Sequence, residues 1–163
     1  MKAKIFLSSR LQRLLADTIR ELAMQGRFYE EEEAMQHGST TIYRHSVHVA
    51  YVSLFLMEKW QFPMDEASLV KGALLHDYFL YDWHENDASH RLHGVRHPGT
   101  ALRNATRDYA LNQREKNTIA RHMFPLTPIP PQCREAWLVC LADKWCAMEE
   151  TLRPAYRRFF CRN

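Results

Sequence analysis

Glycine is scarce in this 163-residue chain, with only five in the whole sequence. So few glycines leave little room for the tight turns of an all-β fold, which favours helix from the start. Charge of one sign is also missing, since 22 Lys+Arg stand against 19 Asp+Glu for a formal net charge of +3. No basic block marks a nucleic-acid footprint, so nucleic acid is not expected as a partner. No apolar run is long enough for a signal segment or a membrane span, and the N-terminal "MKAKIFLSSRLQRLLADTIRELAM" is amphipathic instead. Glycine-rich phosphate loops, internal repeats, heptad arrays and low-complexity linkers are absent too. The four cysteines, Cys133, Cys140, Cys146 and Cys161, form no CxxC pair and no disulfide framework. They read as reduced thiols of a cytoplasmic protein, with Cys140 a core residue. The length suits a single domain with one core.

Histidine, by contrast, is abundant, with nine in the chain. Apolar periodicity and cap residues predict helices at about 9–25, ended by Gly26, and at 42–60, preceded by Gly38, Ser39, Thr40 and Thr41. The acidic run Glu30 to Glu33 between them reads as a solvated helix start. Pro63 and Asp65 open a dense apolar helix that ends at His76 and Asp77. Residues 78–96 show no period and read as a loop. His97-Pro98 then opens a helix to about Thr106, "NQREKNTIARHM" forms the next, and "PLTPIPP" stops it. A final helix spans about 132–151, with Trp137, Leu138, Val139, Leu141, Ala142 and Trp145 as its buried side, and Pro154 breaks it. The expected fold is an all-α single bundle of about six to eight helices.

Five of these segments each carry a ligand-type residue: His45, His76 with Asp77, His97, His122 and Asp143. The successive intervals are 31, 21, 25 and 21 residues by subtraction. Each is about one helix plus one connection, so antiparallel helices bring these residues to one level of a bundle. Four imidazoles and two carboxylates suffice for two metal ions. His48 lies one turn from His45 and competes with it as ligand. The small residues Ser46, Val49 and Ala50 leave room around His45, so His48 is assigned either a supporting role or an exposed one. His90 and His93 are alternatives to His97, although Pro98 gives His97 a helix-start setting. His37 beside Gly38 reads as a turn residue, and Asp82 and His84 as surface residues of the loop. Tyr78, Phe79, Tyr81 and Trp83 either close over a substrate or pack the loop onto the bundle.

The order H…HD…D, carried by "RHSVHVA", "GALLHDY" and "LADK", resembles the HD superfamily of metal-dependent phosphohydrolases over about residues 42–150. The histidines of "HPGTALRNA" and "IARHMFPLT" resemble its binuclear branch, with a spacing similar to that of bacterial hydrolases that split symmetric dinucleoside tetraphosphates. The lysine that several nucleotide-cleaving members carry after HD is missing from "YFLYDWH", as is the GYP segment of cyclic-dinucleotide phosphodiesterases. The resemblance implies one HD domain over residues 1–163, with 1–41 an N-terminal helical segment and 42–151 the metal-binding core. It implies hydrolysis of a phosphate ester or anhydride, of a nucleotide or small phosphorylated metabolite, by a metal-bridged hydroxide. The ligand set would be His45, His76, Asp77, His97, His122 and Asp143. His45, His76 and Asp143 would hold one divalent ion, His97 and His122 the other, and Asp77 would bridge them, since only a carboxylate offers each ion an oxygen. N/O donors admit Fe, Mn, Zn, Ni or Co, with iron slightly favoured.

Phosphate needs nearby cations, and Arg44, Arg96, Arg103 and Lys144 stand near ligand positions. Arg96 and Lys144 are the first choices, which with Asp77 make the expected catalytic set. The same ligands also resemble HD-type diiron oxygenases of small hydroxylated substrates, and a non-catalytic nucleotide-binding HD protein is the third reading. The sequence leaves the oligomeric state open.

Overall fold

In the computed structural model, residues 7–32, 35–37, 40–80 and 93–160 are described. Helix α1 (Ser9–Gln25) buries Leu11, Leu15 and Leu22 on one stripe, as its periodicity predicts, and ends at Gly26. A 3-10 segment, Phe28–Glu32, and a small antiparallel hairpin, β1 (Met35–His37) with β2 (Thr40–Thr41), lead into α2 (Ile42–Trp60). The backbone of His37 is therefore in a strand rather than a turn. The Thr41 hydroxyl caps α2 by accepting from the Arg44 N–H. Asp65 caps α3 (Glu66–Leu75) in the same way, accepting from the Ser68 N–H at 3.1 Å. Asn112 and Glu115 form a reciprocal capping box on α5 (Gln113–Arg121).

Helix α3 is the centre of the bundle, packed against α1, α2, α5 and α6. Its apolar density reflects burial on nearly every side. Gly72 lets α3 and α5 close on each other, since a Cβ there would stand 3.0 Å from Thr118 Cβ. The helix delivers His76 and Asp77 into the interior at its C-terminal end. After the pair, the Asn104 amide donates to the carbonyls of Tyr78 and Phe79 at 3.2 and 3.1 Å, and the Tyr78 hydroxyl donates to Asp108 at 2.9 Å. Tyr78 and Phe79 are thus buried packing residues. Tyr81, Asp82, Trp83, His84 and His90 lie outside the described residues, as does Cys161.

Two helix limits differ from the sequence reading, and both involve proline. Helix α4 (His93–Asp108) begins four residues before His97 and carries Pro98 inside it. Its period was hidden because a polar residue, His97, continues the buried row of Ala101 and Ala105 at four-residue steps. Helix α6 (Arg134–Phe160) runs on through Pro154. A proline removes one helical N–H but holds a helical φ, so it penalises continuation without forbidding it. The third difference is on α6 itself. Leu138, Val139 and Ala142 are buried as expected, whereas Trp137, Leu141 and Trp145 are exposed. Among the described residues no helix is long and apolar enough to cross a membrane.

Candidate metal centre

Five helices each bring one part of the centre to the same depth. His45 comes from the first turn of α2, His76 and Asp77 from the end of α3, and His97 from the second turn of α4. His122 follows α5 directly and Asp143 lies within α6. All six side chains are buried. They fall into two groups that share Asp77: His45, His76, Asp77 and Asp143 in one, and Asp77, His97 and His122 in the other. Within each group the ligand-type atoms lie within 4.8 Å of one another.

Asp77 turns one oxygen to each group. Its Oδ2 lies 3.4 Å from His76 Nε2 and 3.9 Å from His45 Nε2. Its Oδ1 lies 3.0 Å from His97 Nε2 and 3.2 Å from His122 Nε2. Asp143 Oδ1 closes the first group at 3.0 Å from His45 Nε2 and 3.7 Å from His76 Nε2.

Backbone carbonyls set the tautomers of two imidazoles. The Nδ1–H of His76 donates to the Ala73 carbonyl at 2.7 Å, and that of His122 donates to the Ile119 carbonyl at 2.9 Å. Each ring therefore turns its Nε2 to the interior, where a neutral ring presents a lone pair. His76 Nε2 is buried and makes no hydrogen bond. His97 Nε2 and His122 Nε2 approach to 2.8 Å, hydrogen-bond distance, so one of the two nitrogens carries a proton toward the other.

The electrostatics ask for positive charge. Burial works against a charged His76, yet Asp77 and Asp143 outweigh it and raise its pKa well above 6.5. His45 behaves likewise: burial opposes its charge, but Asp143 and Glu150 lift it to about 9. For Asp143 burial favours the neutral acid, and His45 and His76 overcome that to hold it ionised. Asp77 is held well below the carboxylate range by His76 and His97, again against its burial. For His122 burial wins, and its pKa is lowered toward the neutral form that a ligand requires. Anionic oxygens, lone-pair nitrogens and an unbonded buried His76 Nε2 together fit divalent ions of the borderline class.

Glu150 and Glu31 were not anticipated. Glu150 Oε2 lies 3.0 Å from His45 Nδ1, and Oε1 lies 3.2 Å from the half-buried His48 Nδ1. His48 thus supports the centre through Glu150 and is not one of its grouped donors. The seven-residue step from Asp143 to Glu150, two helical turns on α6, is the signal that could have revealed it. Glu31 contradicts the solvated reading of the acidic run, being fully buried with neither carboxylate oxygen hydrogen-bonded. Burial, reinforced by Asp77, raises its pKa well above the usual range, opposed by His76 and the neighbouring Ser46 hydroxyl.

The surrounding cations divide. Arg96 is exposed beside His97, and Arg44 is exposed beside His45. Arg103 is also turned outward and donates to Thr100 Oγ1 at 3.0 Å. Lys144 Nζ donates to the carbonyls of His122 and Cys140 at 2.8 and 3.3 Å and stands 3.2 Å from Cys140 Sγ. With its three N–H groups so directed, this ammonium holds the His122 backbone in place, and Cys140 is part of that anchor as well as of the core.

A family model described as HD domain matches residues 42–148, well over half of the chain. No curated protein and no solved structure matches it.

Proposed function

The chain belongs to the HD-domain family, and from that premise we propose that it is a metal-dependent phosphohydrolase with two divalent ions at the buried centre. Its substrate is a phosphate ester or anhydride, of a nucleotide or another small phosphorylated metabolite. The observation that carries this reading is the division of Asp77 between two donor groups, because a carboxylate with one oxygen in each group could serve two ions at once. A pair of bound ions supplies Lewis acidity toward a phosphoryl oxygen and a water acidified toward neutral pH.

The chain's own residues do the rest. His45, His76 and Asp143 complete one set of donors, and His97 with His122 the other. Glu150 fixes the ring of His45, while Lys144 fixes the backbone of His122. Burial of the donors keeps bulk water from screening their charges. Arg96, exposed beside His97, is the side chain assigned to the substrate phosphate, since a guanidinium can pair with two of its oxygens. Cys133, Cys140 and Cys146 are free thiols, which supports action in a reducing cytoplasm.

The test is metal analysis of anaerobically purified protein, followed by turnover of a panel of phosphomonoesters, phosphodiesters and nucleotides with the metal restored. We expect close to two ions per chain, phosphate-ester cleavage by the wild type, and loss of both in the doubly substituted His76→Ala, Asp77→Ala protein. Oxygen uptake without phosphate release by the iron-loaded protein would show oxygenase chemistry instead. Nucleotide binding that persists equally in two inert proteins would show a sensor.

A further inference from the structure

Helix α6 has two apolar sides, and only one is used by the bundle. Leu138, Val139, Ala142 and Cys146 are buried, and Asp143 reaches the metal centre from the same helix. At 3.6 residues per turn, Trp145 stands about 160° around the helix from Asp143. Along that outer side Trp137, Leu141, Trp145, Met148 and Leu152 recur at steps of four, four, three and four residues, and all five are exposed, from 42% for Trp137 to 60% for Trp145. These steps keep them in one stripe about 22 Å long. Elsewhere among the described residues, exposed large apolar side chains are scattered or paired, as Trp60 is with Phe62, which is ordinary for any surface. A helix apolar on opposite sides is built to lie between two bodies.

We propose that this outer face of α6 is the contact between two copies of the chain, their α6 helices packed antiparallel about a two-fold axis near Trp145. The arrangement of the stripe points to a second copy. Trp137 lies as far before the midpoint of Lys144 and Trp145 as Leu152 lies beyond it, and Leu141 as far before as Met148. An isologous contact requires this self-complementarity: Trp137 meets Leu152 of the second copy, Leu141 meets Met148, and the two Trp145 rings flank the axis. Alternating steps of four and three from Leu141 to Leu152 are also those of helices packed side by side at a shallow angle.

The area agrees. Tryptophans offer ~150–250 Å² each and Leu and Met somewhat less, so this half-exposed set presents on the order of 500 Å². Phe124 packs edge-on against Trp137, and the segment it belongs to adds the exposed Leu126 and Ile129. With these the face approaches the ~800 Å² per partner of a standard stable interface. Because the stripe faces away from Asp143, association leaves the donors of the metal centre untouched.

Sedimentation equilibrium of the chain from about 1 to 100 µM tests this, a range that captures micromolar association. The wild type is expected at the mass of two chains. Leu141→Glu and Trp145→Glu should each weaken self-association by about 100-fold or more, with far-UV circular dichroism and metal content unchanged. Adding Met148→Lys to Leu141→Glu should restore the dimer, because in the antiparallel pair the new acid and base face each other across the contact. A wild type that stays monomeric over the whole range overturns the proposal. A dimer indifferent to both glutamates overturns this face as its interface, and failure of Met148→Lys to rescue overturns the antiparallel pairing.

Discussion

Burial dominates at Glu31, whose two oxygens are enclosed without a hydrogen bond and whose carboxyl is pushed well above the usual range. Ionising a carboxyl so placed costs more than leaving a neutral polar group unpaired there, because a buried charge loses its hydration as well. The folded state therefore keeps the proton over a range of pH in which the unfolded chain has lost it, and stability must fall as pH rises through that range. Replacing the acid with its neutral isostere removes this slope. Thermal melts of metal-stripped wild type and Glu31→Gln should show the variant more stable at pH 8, with the gap closing toward pH 5. Parallel curves would mean that Glu31 is not protonated by its surroundings. Asp77 and Asp143 are the opposite case, held ionised by the imidazoles around them in spite of their burial. Burial pushes all three carboxyls upward; the imidazoles beside Asp77 and Asp143 overcome it, whereas His76 and Ser46 only oppose it at Glu31.

At the scale of elements, local chemistry decides where helices start, and packing decides what their faces meet. Thr41, Asp65 and Asn112 each accept from the backbone N–H three residues on, which is why α2, α3 and α5 begin where a reading of cap residues puts them. Glycine shows both influences. Gly26 ends α1 in an extended conformation with φ −152°, so no left-handed geometry demands it. The demand comes from across the fold, where a Cβ at Gly26 would stand 2.5 Å from the Tyr109 hydroxyl oxygen, and that hydroxyl is tied to the Leu22 carbonyl. Gly99, inside α4, has no such neighbour within 4 Å. Gly26→Ala should therefore destabilise the protein by about 1–3 kcal/mol, and Gly99→Ala should stabilise it by roughly 0.5–1 kcal/mol through helix propensity. Urea unfolding of the two variants checks both, and equal effects would refute the contrast. Proline was the weaker guide, because Pro98 and Pro154 both lie inside helices that their neighbours sustain.

For the molecule as a whole, the buried donor cluster would also act as a stability device once it holds metal. Four imidazoles and two carboxylates from five helices are enclosed together, and without cations the two ionised aspartates depend on protonated histidines for compensation. Metal at 100 to 1,000 times its Kd should add roughly 2.7–4.1 kcal/mol, which for a chain of this size raises Tm by about 5–15 °C. Calorimetry with EDTA, then with the metal added back, reads this directly. A Tm indifferent to both would mean that the enclosed donors hold no ion.

The sequence by itself determined the helical class, the cap residues, and the set His45, His76, Asp77, His97, His122 and Asp143 that the fold brings together, because each is written in steps of one turn or in intervals of one helix and its connection. Only the tertiary structure decided that Glu31 is enclosed while Glu30 and Glu32 are exposed, that Glu150 reaches His45, and that Trp137, Leu141 and Trp145 face outward. It also gave the distances at which the two oxygens of Asp77, the residue the sequence reading places between the two groups, divide between them. The physical reason is range. Caps and periodicity act between residues within a turn of one another, whereas burial and the partner of a charge depend on which helix faces meet across the core, and an amphipathic pattern does not say which of two apolar sides the core will take.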